Sequence, residues 1–63
     1  MIKLRIKIKS KNGETYTNDE MLQDDYQVCR KNPEFNRLIE KNIEKSHFEE
    51  IESVKVTANF GEI

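Results

Sequence analysis

The chain contains one thiol, Cys29, and one imidazole, His47. A thiolate nucleophile needs a base within hydrogen-bond reach and a third group to orient that base, and no such third residue is indicated by the spacing around either side chain. Cys29 reads instead as a small apolar packing residue, and His47 as a helix-end residue whose charged form suits the helix dipole. The run His47-Phe48-Glu49-Glu50 offers one imidazole and two carboxylates, fewer fixed ligands than a structural zinc site uses. Glycine occurs only at positions 13 and 61, so no glycine-rich loop is available to cradle a phosphate. Carboxylates are numerous, but none forms a recognisable acid/base pair. The expectation is a protein that is not an enzyme and carries no catalytic residue, cofactor or metal.

What the sequence does organise is charge. The opening IKLRIKIK places a branched aliphatic residue at every second position and a cation at the others: Lys3, Arg5, Lys7 and Lys9. Residues 1–13 hold five cations and no anion, whereas residues 14–29 hold five anions and no cation: Glu14, Asp19, Glu20, Asp24 and Asp25. The formal net charge of -1 therefore conceals opposed patches. Such patches steer association and discriminate between partners, while a chain that is not basic overall is a poor general nucleic-acid binder.

The elements that must carry these charges follow from periodicity. Period two with β-branched Ile at 2, 6 and 8 indicates a strand, with Ile2, Leu4, Ile6 and Ile8 on one side and the cations on the other. Asn12-Gly13 signals a hairpin, because both residues tolerate positive φ. Two registers are open for the short return strand, Glu14 to Thr17. A two-residue turn would pair Lys9 with Tyr16 and place the ring on the cationic face. A three-residue loop with Gly13 in a bulge would pair Ile8 with Tyr16 and send the ring to the core, the arrangement that burial favours.

TNDEMLQDDYQVCRKNP reads as a helix. Asn18 is its cap, Asp19 and Glu20 lie in the first turn, Arg30 and Lys31 in the last, and Pro33 stops it. Its apolar side comprises Met21, Leu22, Tyr26, Val28 and Cys29, with Asp25 projecting inside that arc. A second helix starts at once, with Asn32 as cap and Pro33 at its first position. Phe35, Leu38, Ile39 and Ile43 form its buried stripe, interrupted by Asn42 and Ser46, and it ends near Ser46 to Phe48. The segment SVKVTANF alternates again, with Val54, Val56, Ala58 and Phe60 inward and Lys55, Thr57 and Asn59 outward.

The expected architecture is thus α+β: a single β-β-α-α-β domain over residues 1–63. Two antiparallel helices return the last strand parallel to the first, which gives a mixed sheet of order 2-1-3 with both helices on one face. This strand-turn-strand, helix and parallel return strand resembles a reduced β-grasp arrangement. It lacks a fourth strand, and ANFGEI lacks the conjugation tail of ubiquitin-like proteins, so the resemblance carries no function.

With 63 residues, 35% of them hydrophobic and 37% charged, the core is small and contributes only about 3–5 kcal/mol net. One cysteine permits no internal disulfide, and a second copy or a partner would complete the core. A lone thiol fits a reducing compartment. The longest aliphatic run is two residues, and cations interrupt the opening, which argues against a membrane span or a signal peptide. A cytoplasmic protein is expected. The cations would occupy the open sheet face, where a wet face needs polar residues whatever its function. That reading does not account for the sign, because like charges side by side repel.

Two binding readings follow. In the first, a small regulator or inhibitor binds another protein, or itself as a dimer. Its surfaces are a basic sheet face (Lys3, Arg5, Lys7, Lys9, Lys55 and, in the shorter turn, Tyr16) and an acidic helix (Asp19, Glu20, Asp24, Asp25). Eight Lys, nine Glu, seven Ile and six Asn suit an AT-rich bacterial or phage genome, whose small proteins often act by occupying a host protein. In the second, the cationic face binds nucleic acid, with Tyr16 as a stacking surface.

Overall fold

The computed structural model describes residues 1–59; Phe60, expected to point inward, and residues 61–63 lie outside the described residues. Strand β1 (Ile2–Ser10) and strand β2 (Thr15–Leu22) form an antiparallel hairpin. The amide of Gly13 donates to the carbonyl of Ser10 over 3.1 Å, and the amide of Ser10 donates to the carbonyl of Glu14 over 2.9 Å. Gly13 has φ +89°, a conformation that glycine adopts without a Cβ penalty. Lys11, Asn12 and Gly13 therefore make a three-residue loop with a glycine bulge. Ile8 pairs with Tyr16, the register that burial of the ring favours.

The expected helix over residues 18–31 is not formed. Asn18 to Leu22 instead continue β2, which pairs with β1 as far as Ile2 opposite Leu22. The cause is the length of β1. Stopping β2 at Thr17 would leave the first five residues of β1 without ladder partners on that side, and buried backbone groups must be paired. Local capping signals around Asn18 and Asp19 cannot offset that loss. Residues 23–32 form an irregular connection, tied by Tyr26 N–H to Gln23 O at 3.0 Å and Asn32 N–H to Cys29 O at 2.9 Å. It still packs Tyr26 and Val28 against the core.

Helix α1 (Pro33–Ser46) is where periodicity and caps place it. Asn32 Oδ1 accepts from the amide of Glu34 at 3.1 Å, and Pro33 occupies the first turn, where no intrahelical donor is needed. His47, at φ 59°, closes the other end by donating its amide to Glu44 O over 3.2 Å. Strand β3 (Ile51–Asn59) then pairs with β1, in the sheet order β2-β1-β3. β3 runs antiparallel to β1, so the sheet is antiparallel throughout and the expected mixed sheet is corrected. Both differences have one cause, because removing a helix reverses the direction in which the chain returns. The parallel return strand that carried the β-grasp resemblance is absent for the same reason.

A register shift between Lys9 and Ser10, opposite Ile51 to Ser53, marks a bulge in β3. The core consists of Leu4, Ile6, Ile8, Phe35 and Ile39, with Ile2 also buried. β1, the central strand, supplies most of it. Each fully buried aliphatic side chain contributes about 1.5–3 kcal/mol. On the sheet-facing side of α1, Asn42 is 0% exposed. Its Nδ2 donates to Leu38 O at 2.8 Å, and its Oδ1 accepts from Asn18 Nδ2 at 2.7 Å. Asn18 Nδ2 also donates to Glu20 Oε1 at 2.9 Å. The interruption at Asn42 is thus a polar clasp between helix and sheet, with no buried Asn42 group left unpaired.

Candidate interaction face of the sheet

Alternation along β1 carries Lys3, Arg5, Lys7 and Lys9 to the face opposite α1, where Arg5, Lys7 and Lys9 are exposed and Lys3 is half-buried. The ladders place neighbours beside them. Lys3 lies between Met21 and Asn59, Arg5 between Asp19 and Thr57, Lys7 between Thr17 and Lys55, and Lys9 between Thr15 and Ser53. Lys55 thus joins the face as expected. Tyr16 does not: it sits on the helix side, packed against the core. The cationic face has no aromatic ring among the described residues.

Three of the five cations on this face contact carboxylates of the same chain, Lys3 and Arg5 sharing Asp19 and Lys9 meeting Glu52. Asp19 receives a two-point contact from Arg5, with Nε to Oδ1 at 2.9 Å and Nη2 to Oδ2 at 3.1 Å. Lys3 Nζ lies 3.6 Å from Asp19 Oδ2, and Lys9 Nζ lies 3.3 Å from Glu52 Oε2. The Arg5 hydrogen bond holds the Asp19 carboxyl below the usual carboxylate range; partial desolvation opposes the shift, and the charges of Arg5 and Lys3 add to it. Arg5 is correspondingly raised by its hydrogen bond to Asp19 and by that residue's charge. Among the described residues, no carboxylate pairs with Lys7 or Lys55. They face each other across adjacent strands, an arrangement that costs a few tenths of a kcal/mol or more. Thr17, Ser53 and Thr57 surround them with hydroxyls, and Lys3, Arg5, Thr57 and Asn59 line a shallow hollow of about 130 Å³.

The acidic helix does not exist as a surface. Asp19 faces the cations on the open side, whereas Glu20 lies on the helix side of β2. Asp24 and Asp25 are exposed in the turn after β2, where Asp24 contacts the amino group of Met1. The four carboxylates thus serve three separate surroundings. Asp19 and Glu52 are the residues that sequence reasoning did not place on the sheet face. Asp19 was legible only through the strand register, and Glu52 only through the bulge that turns it toward Lys9.

Cys29 lies in the connection before α1 and His47 caps its far end. The 14-residue helix that separates them in the chain spans roughly 20 Å. No helix of the described residues is long and apolar enough to cross a membrane. Comparison of the chain with family models, with curated proteins and with solved structures finds no match.

Proposed function

We propose that this chain is a small non-enzymatic regulator that binds an acidic surface of another protein through the open face of its sheet, centred on Lys7 and Lys55. One observation carries the reading: among the described residues these two lysines stand opposite each other without a carboxylate, on a face where every other β1 cation has one. A solvated face could spread its charges, and the same chain places Asp19 and Glu52 for that purpose. A like-charge pair that costs stability fits a contact site, because function and stability often trade against each other. Ion pairs on Lys3, Arg5 and Lys9 then act as a frame that holds long side chains in place and limits which acidic patterns fit.

The same geometry weighs against nucleic acid. Two free lysines give a single-strand salt slope of roughly 1.4, against about 3.5 for five, and Tyr16 is turned away from any base that would stack. The test is crosslinking capture at low salt with the natural protein, with the double variant Lys7→Glu/Lys55→Glu, and with Lys45→Glu on the exposed side of α1. Loss of the captured protein in the double variant alone is the expected result. Identical capture by all three would refute the assignment.

A further inference from the structure

The two edges of the sheet are built differently. β2 turns Asn18 and Glu20 toward the helix side, and an inward-pointing charge is a common device that keeps a free edge from pairing. β3 has no such device between Ser53 and Asn59. Its inward row is Val54, Val56 and Ala58, with Val54 36% exposed, and Lys55 is its only charge. Among the described residues, no backbone hydrogen bond joins the outer edge of this stretch to another segment. Above the row, the side of α1 bearing Ile39 and Ile43 and the connection at Arg30 enclose a groove of about 500 Å³. One helix covers only part of a three-stranded sheet, so the β3 side of the core is left open.

We infer that this edge pairs with the β3 edge of a second copy, antiparallel about a two-fold axis at Val56. The register follows from the strand itself. The bulge at Glu52 limits regular pairing to Ser53–Asn59, and the midpoint of that stretch is Val56. In this register Val56 meets its own copy, Val54 meets Ala58, and Ser53 meets Asn59. Lys55 lies opposite Thr57 rather than opposite itself. A two-fold at Lys55 would instead set two lysines face to face, which is unfavourable. The product is a continuous six-stranded sheet with both helices on one side, in which the two grooves join into one trough over the dyad. On the other side, each Lys7–Lys55 pair is continued by Thr57 and Arg5 of the second copy. A small domain gains from such pairing the core area it cannot bury alone. One short ladder lies at the small end of interface sizes, so the dimer is weak and depends on concentration.

Sedimentation equilibrium of the full chain over a wide concentration range tests this without reference to any partner. The expected result is a weight-average mass rising from one chain toward two. Thr57 is exposed, so its variants should keep the fold, which circular dichroism verifies. Thr57→Glu sets two carboxylates against the two Lys55 side chains and tightens the dimer, whereas Thr57→Lys weakens it. Each pair alters the equilibrium by roughly 1.5- to 5-fold, so each variant moves Kd by about 2- to 25-fold. Thr17→Lys on the opposite edge leaves it unchanged. With Cys29→Ser in place, Val56→Cys oxidises to a covalent dimer, whereas Ser53→Cys does not. A protein that stays monomeric to about 1 mM, including one that captures an added apolar strand peptide instead, overturns the inference. So does a Kd that responds to Thr17 and not to Thr57.

Discussion

Replacing Lys7 should make the protein more stable while making it a worse binder. In the structure Lys7 is opposite Lys55 on β3, with Arg5 and Lys9 two residues away on the same face of β1. Lys7→Gln removes the repulsion, and Lys7→Glu replaces it with attraction to Lys55. A directly opposed pair contributes about 0.2–1 kcal/mol in either sense, so solvent-exposed side chains put the Glu variant about 0.5–1 kcal/mol above the natural protein. In a domain of this size each kcal/mol moves Tm by about 4–8 °C, which gives a rise of about 2–8 °C for Lys7→Glu and about half that for Lys7→Gln. Urea denaturation and thermal melts at about 20 mM salt would measure both. Repeating them near 1 M, where the screening length is about 3 Å, should erase most of the gain. A natural protein as stable as either variant at low salt would refute the reasoning, because Lys7 and Lys55 would then carry no strain and need no partner to explain them.

Three further outcomes are expected. Asn42→Leu strands one donor of Asn18 and costs about 1–2 kcal/mol, and adding Asn18→Val restores only part of it because half-buried Glu20 loses its Asn18 donor; a double-mutant cycle in urea without coupling would dissolve the proposed clasp. The Asp19 carboxyl titrates below the usual carboxylate range when followed by carboxyl NMR, and Arg5→Gln, which removes the hydrogen bond that lowers it, moves it upward. Because its folded-state value is depressed, its stabilisation is full above the unfolded value and lost as pH falls through the folded one. The natural protein should therefore lose more stability below about pH 4 than Arg5→Gln does. Ile6→Ala empties the centre of the core, where Ile6 is 0% exposed. A loss of about 2–5 kcal/mol against a net of about 3–5 should leave much of the protein unfolded at 25 °C by circular dichroism.

Where neighbouring residues alone decide the outcome, the sequence is a sufficient guide. Alternation from Ile2 to Lys9 specifies a strand with one greasy and one cationic face. Asn12-Gly13 specifies a tight reversal, and Asn32-Pro33 the start of α1. Each rests on side-chain geometry within a few residues: period two, tolerance of positive φ, a cap and a fixed φ. Tertiary structure decided the rest. Asn18 to Leu22 carry helix signals worth a fraction of the backbone pairing that β1 demands along its length, so they became strand. With that helix gone, β3 returned antiparallel. The same change moved Asp19 from an acidic helix onto the cationic face, where it pairs with Arg5 and Lys3, and among the described residues Lys7 and Lys55 are left without a carboxylate. Which lysines remain unpaired depends on register across strands far apart in the chain, and no pattern within one segment encodes it.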